Sequence, residues 1–285
     1  MSRVAYVDRQ YVPHRFAAVH IEDRGYQFAD GVYEVLAVVA GRIVDEGPHL
    51  VRLKRSLAEL RIAAPMSDAA LNIVMREVVR RNRVQYGTLY LQITRGVARR
   101  DHSFPTAAKP VLVITSRARK PTDRGITEQG VAVITLPDIR WQRCDIKSIA
   151  LLPNVLGKQL AREAGAYEAW QVDREGHVTE GTSTNAWIVT GDRTVVTRKA
   201  DNAILNGITR LAILDIIRRE GYRFVERSFT VDEAKSASEA FLTSTTNGLV
   251  SVVKIDGIPV GSGEPGQLAR RLRDHYRAHT AAAAA

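Results

Sequence analysis

The pattern of apolar and polar residues predicts mixed α/β structure in the first third of the chain. Apolar residues on either side of Asp8-Arg9 and of Ala40-Gly41 indicate two β-hairpins. Leucines spaced three or four apart over residues 48–60 indicate an amphipathic helix. Ser67 is expected to cap a second helix that ends near Arg81. Two apolar runs, over residues 89–94 and 111–115, indicate further strands.

Beyond residue 130 many short strands are expected to alternate with a few helices. The predicted strands cover residues 131–136, 169–172, 185–189, 194–197 and 241–243. The predicted helices cover residues 155–164, 208–219, 231–236 and 266–279. A polar, turn-rich stretch between the two halves is typical of an interdomain linker. We therefore predict a small N-terminal α/β domain over 1–116, a linker over 117–129, a larger C-terminal domain over 130–280 and a low-complexity tail over 281–285.

Composition and charge narrow the class of protein. The 285 residues are 45% hydrophobic and 25% charged, which excludes a disordered or fibrous chain. The net charge of +10 comes mainly from arginine and suggests a nucleic acid, an acidic membrane surface or anionic small molecules as partners. Most of these arginines are expected on solvated helix faces. The single cysteine, Cys144, excludes an intrachain disulfide and fits a reducing compartment. No signal peptide or membrane span is apparent, so we expect a cytoplasmic protein with no membrane partner.

Several short motifs do not indicate the sites that their letters suggest. The string Gly261–Gly266 matches a dinucleotide fingerprint, but only 19 residues follow it, too few to complete the nucleotide-binding unit. A plain turn is the better interpretation. The segment 181–185 begins like a nucleophile elbow and lacks its final glycine. The histidines show no metal-ligand spacing, so no metal site is predicted.

Three segments carry candidate chemistry. Lys147 stands between Ile146 and an apolar run, and burial lowers the pKa of a lysine and makes its amine nucleophilic. Taken alone, a strand lysine that reaches solvent is the simpler interpretation. Glu180 precedes a run of small hydroxyl residues, which by itself indicates only a polar turn. Gly207 precedes a clear helix, whose free backbone N–H groups suit either a phosphate or an ordinary helix start.

Together, in this order, the three segments resemble those of the fold-type IV pyridoxal-phosphate enzymes, the family of D-amino-acid and branched-chain aminotransferases. Residues 22–34, which we call the N-terminal motif, resemble a family motif, as do His49–Leu53 and Phe241–Thr246. The similarity extends from about residue 4 to residue 278. It implies a two-domain α/β (α+β) fold with a small N-terminal domain and a larger C-terminal α/β pseudo-barrel. It also implies a homodimer.

The resemblance implies a role for each matching residue. Lys147 would hold pyridoxal 5'-phosphate as a Schiff base and move the Cα proton, and Glu180 would pair with the protonated pyridine nitrogen. This pairing keeps the ring an electron sink. Leu205 would pack against the ring. The phosphate would be held by Arg52, the backbone of Ile208 and Thr209, and the loop with Ser244 and Thr245.

One further stretch bears on the substrate. Arg100 and His102 match the Arg-x-His-x-Phe pattern of the D-amino-acid transaminases, and together with Tyr33 they would bind the substrate α-carboxylate. The implied reaction moves an amino group between a D-amino acid, such as D-alanine or D-glutamate, and a 2-oxo acid such as 2-oxoglutarate. The sequence Asn247-Gly248 departs from the D-specific pattern.

Other activities of the same fold remain alternatives. They are a branched-chain L-amino-acid transaminase, an (R)-amine transaminase and an aminodeoxychorismate-lyase-like enzyme. A nucleic-acid-binding protein on an inactive enzyme scaffold would require the chemical residues to be lost, but Lys147 and Glu180 are both present. We therefore expect small amino and 2-oxo acids as partners, and no nucleic acid.

Overall fold

The computed structural model describes residues 3–119 and 124–283. The strands within these residues are β1 (Val4–Val7), β2 (Gln10–Pro13), β3 (Gly31–Val39), β4 (Arg42–Ile43), β5 (Gly87–Thr94), β6 (Val111–Ala118), β7 (Val131–Pro137), β8 (Glu168–Val172), β9 (Val178–Gly181), β10 (Asn185–Val189), β11 (Val195–Thr197), β12 (Phe224–Glu226), β13 (Glu239–Ser244), β14 (Gly248–Ile255) and β15 (Ile258–Pro259). The helices are α1 (Arg24–Phe28), α2 (Glu46–Glu59), α3 (Asp68–Asn82), α4 (Arg124–Gln129), α5 (Leu152–Glu163), α6 (Ile208–Arg219), α7 (Val231–Lys235) and α8 (Gln267–Ala283).

The chain forms two compact units, each with its own sheet. Among the described residues, the first unit contains 3–119, Ile146–Ala150 and 281–283, and the second contains 124–145 and 151–280. The five residues around Lys147 therefore belong to the first unit, although they lie beyond the polar stretch that separates the halves of the sequence. The domain limits proposed from the sequence stay a prediction.

The first unit is an antiparallel sheet with three α-helices, α1, α2 and α3. Its strand order is β2-β1-β6-β5-β3-β4. Both predicted hairpins are confirmed, and each has two turn residues of positive φ: Asp8 (39°) and Arg9 (70°), then Ala40 (49°) and Gly41 (77°). The apolar faces of α2 and α3 pack with the sheet into one core. The predicted cap of α3 is also confirmed, since Ser67 accepts a hydrogen bond from the backbone N–H of Ala70 at 3.3 Å.

The second unit is a nine-stranded mixed sheet. Its order is β12-β11-β10-β13-β14-β7-β8-β9, with β15 paired to β14. The β11–β12, β14–β7 and β7–β8 pairs are parallel, and the other pairs are antiparallel. The last strand, β9, also contacts β10, so the sheet curls on itself. This agrees with the pseudo-barrel that the resemblance implied.

Four strands of the second unit, β9, β12, β14 and β15, were not among the predicted strands. The segment that begins at His177 was interpreted as a polar turn, which is wrong for β9: all four residues of this strand are buried. Its threonine and glutamate give no apolar alternation, because both faces of the strand are covered by protein. The eight-residue strand β14 was missed as well, although most of it is buried. No local pattern indicated β9, whereas β14 carries an apolar, β-branched run that local reasoning could have found.

The polar stretch and the tail contain regular structure. Strand β6 continues to Ala118, and α4 covers Arg124–Gln129, while residues 120–123 of the proposed linker lie outside the described residues. At the C-terminus α8 extends to Ala283, into the stretch predicted as a tail, and residues 284–285 are again outside the description. The string Gly261–Gly266 forms a turn before α8, as predicted.

No helix in the described part of the chain has the length and apolar character needed to cross a membrane.

Candidate functional site

The segment with Lys147 is held against β3 of the first unit. The N–H of Tyr33 donates to the Lys147 carbonyl at 3.0 Å, and the N–H of Ile149 donates to the Gly31 carbonyl at 3.1 Å. Ile146 is buried in the core of this unit. Lys147 itself is half-buried. The backbone on both sides of the lysine is thus anchored, which restricts where its amine can lie.

The side-chain nitrogen of Lys147 lies over an aromatic ring. This nitrogen is 4.2 Å from the centroid of the Tyr33 ring, and the Tyr33 and Tyr90 rings are 5.8 Å apart. The Tyr90 hydroxyl donates to Gln92 at 2.6 Å, and burial raises the pKa of Tyr90 to about 12. Among the described residues, no carboxylate forms a salt bridge with Lys147. The amine therefore faces a π surface and is left available for chemistry.

Arg52 is fixed by a buried carboxylate. Its guanidinium donates from Nε to Oε1 of Glu34 at 2.8 Å and from Nη2 to Oε2 at 2.6 Å. Nδ1 of His49 lies 2.7 Å from Oε2 of the same carboxylate. Burial alone would raise the pKa of Glu34, but the charge of Arg52 and the hydrogen bonds from Arg52 and His49 outweigh it and hold the pKa at about 2. Burial lowers the pKa of His49. The sequence predicted a role for Arg52 and missed both partners.

Arg100 and His102 lie together in the connection between β5 and β6. The Arg100 guanidinium is 4.6 Å from the centroid of the Phe28 ring, and the His102 ring is 5.4 Å from it. Both side chains are exposed. Within the described residues, no hydrogen bond or ring contact joins either of them to Tyr33. Their joint role with Tyr33 stays a prediction.

Glu180 of the second unit is surrounded by donors. The backbone N–H of Leu205 lies 3.1 Å from both carboxylate oxygens, and Nδ2 of Asn185 lies 3.0 Å from Oε2. The Arg140 guanidinium donates to Oε1. Three neutral or positive donors stabilise the ionised form of a buried carboxylate. Glu180 and Leu205, both predicted as site residues, are thus in direct contact.

Arg140 and Asn185 were not assigned roles from the sequence. Arg140 is held in turn by Asp138, through contacts of 2.9 Å and 2.7 Å, and its side chain is 5% exposed. Burial alone would raise the pKa of Asp138, but hydrogen bonds and charge from Arg140 lower it. Forty residues separate Arg140 from Glu180, and no local spacing reports a contact over that distance. The one available signal was the charge of Arg140 itself, in the segment just before Lys147.

The first turn of α6 and the turn after β13 are joined by a tyrosine. Helix α6 begins after Gly207 without a side-chain cap, so its first backbone N–H groups are left for another acceptor. The Thr209 hydroxyl lies 3.3 Å from the Tyr276 hydroxyl. The Tyr276 ring also packs against Gly248, at a distance of 3.1 Å from the position of an added Cβ. Tyr276 thereby links Thr209 to Gly248, which follows the turn that contains Thr245.

Substitution of Gly207 by alanine tests how tightly this region is packed. An added Cβ would come within 3.0 Å of Oδ1 of Asn185, the side chain that also holds Glu180 and the Leu205 carbonyl. We expect the free energy of unfolding to fall by about 1–3 kcal/mol in urea titrations, as for other overpacked sites. Gly191→Ala is the matched control, because nothing lies within 4 Å of its added Cβ. Equal stability of the two variants would contradict the close approach.

Known proteins similar to this chain include one whole family and several individual relatives. The description "Amino-transferase class IV" applies to the family whose profile matches residues 31–255. The chain is 43% identical over 257 residues to the D-alanine aminotransferase of Bacillus licheniformis, covering 90% of this chain and 89% of that one. It is 40% identical over 278 residues to the D-alanine aminotransferase of Staphylococcus haemolyticus, covering 97% of each.

Solved structures of similar fold include two branched-chain amino acid aminotransferases. That of Escherichia coli superposes with a TM-score of 0.91 at 21% identity, covering 98% of this chain and 95% of that one. The T.th. enzyme, determined with pyridoxamine 5'-phosphate, has a TM-score of 0.90 at 25% identity, covering 99% and 95%. These likenesses confirm the predicted fold class. Because the family profile spans most of the sequence and relatives of 40–43% identity span at least nine-tenths of it, this chain belongs to the class IV aminotransferases.

Proposed function

We propose that this chain is a pyridoxal-phosphate-dependent aminotransferase that moves an amino group between a D-amino acid, such as D-alanine, and a 2-oxo acid. The observation that carries the proposal is the half-buried Lys147 amine, which faces the Tyr33 ring at 4.2 Å from a segment fixed to β3. The 43% identity to a D-alanine aminotransferase supports a D-amino acid as the substrate. The likeness to the branched-chain enzyme of Escherichia coli, at 21% identity, concerns only the fold.

The donors and charges of the chain fit pyridoxal phosphate. Arg52 and the uncapped first turn of α6 suit a dianionic phosphate, since a guanidinium and helix N-terminal amides both favour negative charge. Glu180, with its three donors, is a stable anion that suits a protonated ring nitrogen. Lys147 supplies the amine for covalent attachment. Ser244, Thr245, Ile208 and Thr209 complete the proposed phosphate contacts, and Leu205 the contact with the ring.

Each group of residues then has a part in the proposed reaction. Bound pyridoxal phosphate supplies an electron sink that makes the Cα proton of an amino acid acidic. Glu180 keeps the ring nitrogen protonated, and Arg140 and Asn185 keep Glu180 ionised and oriented. Lys147 accepts the Cα proton and returns it during amino transfer. A carboxylate-binding group of Arg100, His102 and Tyr33 would fix which face of Cα the lysine meets.

The substrate assignment is tested by half-reactions with D-alanine, L-leucine and (R)-phenylethylamine. We expect D-alanine to react fastest. Arg100→Ala should lower kcat/KM for D-alanine by about 10- to 100-fold, the loss of charge-assisted hydrogen bonds to a carboxylate. The amine carries no carboxylate, so its rate should not change. Arg99→Ala, an exposed neighbour in the same loop, is the control. The D-specific assignment would be contradicted if D-alanine reacted no faster than the other two substrates. It would also be contradicted if Arg100→Ala left the rate with D-alanine unchanged.

We also propose that two copies of the chain associate, as the family resemblance implies. Helix α5 supports this proposal, because one of its faces carries apolar side chains that are about half exposed or more. These side chains are Leu152 (69%), Val155 (58%), Leu156 (51%) and Leu160 (48%). An exposed apolar stripe of this kind is typical of an interaction surface. The cytoplasmic location expected from the sequence stays a prediction.

A further inference from the structure

The N-terminal motif contains a buried ion pair that has no part in the roles proposed above. Arg24 begins α1 and is 3% exposed. Its Nε atom donates to Oδ2 of Asp30 at 2.8 Å, just beyond the end of that helix. Burial of an arginine is costly unless the charge is paired and its donors are used.

The other donors of Arg24 reach the backbone of the loop that carries the proposed carboxylate-binding residues. Nη1 donates to the Asp101 carbonyl at 2.5 Å, and Nη2 lies 3.5 Å from the His102 carbonyl. The guanidinium carbon of Arg24 is 4.8 Å from the centroid of the Phe28 ring, which Arg100 and His102 also contact. One side chain thus contacts the backbone between and beside these two exposed residues.

Asp30 connects this contact to the start of the loop. Its carboxylate also accepts from Nε and Nη2 of Arg95, at 2.7 Å and 2.9 Å. Arg95 in turn donates to the carbonyls of Leu60 and Arg61, which follow α2. Burial alone would raise the pKa of Asp30, but hydrogen bonds from Arg95 and Arg24 lower it. A single ionised carboxylate therefore holds two guanidiniums: that of Arg24, which contacts the loop backbone at Asp101 and His102, and that of Arg95, the first residue of the loop.

The far side of the loop is fixed in a related way. The Phe104 ring lies 3.7 Å from the guanidinium carbon of Arg95 and 4.9 Å from that of Arg61. Stacking of this kind orients an aromatic ring under two cations. The stretch from Arg95 to Phe104 is consequently held by side-chain contacts at three places. They are at Arg95, at the carbonyls of Asp101 and His102, and at the Phe104 ring. The side chains of Arg100 and His102 are exposed on this stretch.

We propose that Arg24, held by Asp30, is a positioning residue that presets the loop from Arg95 to Phe104 for binding the α-carboxylate of amino acids and 2-oxo acids. This inference rests on the proposed function, in which Arg100 and His102 contact that carboxylate. When a loop is ordered before substrate binds, less of the binding free energy is lost to ordering it. Arg24 does not itself touch the substrate.

Arg24→Ala tests this role through the KM values of both substrates. We expect KM for D-alanine and for 2-oxoglutarate to rise together, by about tenfold each, because both carry the same α-carboxylate. kcat and the amount of bound pyridoxal phosphate should stay close to those of the native protein. A purely structural role would lower cofactor content and kcat as well. Should the alanine variant not fold, Arg24→Lys keeps the charge beside Asp30 and removes the fork that reaches two carbonyls.

Parallel variants separate failure of this inference from failure of the proposed function. Arg99→Ala, in the same loop and exposed, should leave both KM values unchanged. If Arg100→Ala raises KM and neither Arg24 variant does, the positioning role is wrong and the proposed function stands. If Arg100→Ala leaves KM unchanged, the carboxylate site is wrong and the positioning role falls with it. A fall in kcat without a rise in KM for the Arg24 variants would also overturn the inference.

Discussion

Replacing Lys147 with alanine is expected to reduce kcat/KM for amino transfer from D-alanine to 2-oxoglutarate by at least about 1000-fold. The change removes the amine that lies 4.2 Å from the Tyr33 ring centroid. With it go the proposed covalent attachment of pyridoxal phosphate and the base that moves the Cα proton. Phosphate contacts would persist, since Arg52 and the first turn of α6 are untouched. The measurements are kcat, KM and the cofactor retained after gel filtration.

Two further lysine variants sharpen this test. Lys147→Arg keeps a cation over the Tyr33 ring, but a guanidinium stays protonated and cannot act as the nucleophile. We expect it to be as inactive as the alanine variant. Lys54→Ala is the control, because Lys54 forms a surface pair with Asp68 in which both side chains are 54% exposed. Near-normal activity of Lys147→Arg would show that only the charge matters and would contradict the assignment.

Replacing Glu34 with glutamine is expected to lower the free energy of unfolding at pH 7 by about 3 kcal/mol. The carboxylate is fully buried, and its pKa falls from 4.5 to about 2 through Arg52 and His49. That difference corresponds to about 3 kcal/mol in favour of the ionised form in the folded protein. The amide would keep the shape and remove the carboxylate charge that faces the Arg52 guanidinium. Urea unfolding measures the loss.

The same carboxylate makes stability depend on pH. Because the folded pKa of Glu34 lies below its unfolded value, its contribution is complete above about pH 4.5 and is lost as the pH falls towards 2. Burial lowers the pKa of His49 below its unfolded value of 6.5, so acid destabilises the fold through this residue too, from a higher pH. We expect Glu34→Gln to flatten the pH dependence of the free energy of unfolding below about pH 4.5. The contribution of His49 to that dependence should remain.

A surface glutamate provides the matched control for Glu34. Glu77 on α3 also has a pKa lowered to about 2, through hydrogen bonds from Arg80 and Arg81. Its partners are exposed, by 73% and 40%, so water and salt screen the pairs. We expect Glu77→Gln to change stability little. If both substitutions lower the free energy of unfolding equally, burial is not the source of the effect, and the prediction for Glu34 is wrong.

Local patterns in the sequence predicted the regular elements well where one face of an element is apolar. Helix α6 has the predicted limits of residues 208–219, and Ser67 caps α3 as expected. These features depend on neighbours in the chain, which a spacing of three or four residues reports directly. Strand β9 was missed because a short strand with both faces buried carries no such alternation.

The sequence by itself determined the types of element, their approximate limits and, through a family resemblance, which residues are candidates for chemistry. The tertiary structure alone decided what surrounds those residues: Glu34 and His49 at Arg52, Arg140 and Asn185 at Glu180, and β3 beside Lys147. The physical reason is that a buried charge requires a partner, but the partner is supplied by whichever strand or helix the topology brings near. Periodicity along the chain reports that a side chain is buried and carries no information about the distant residue it meets.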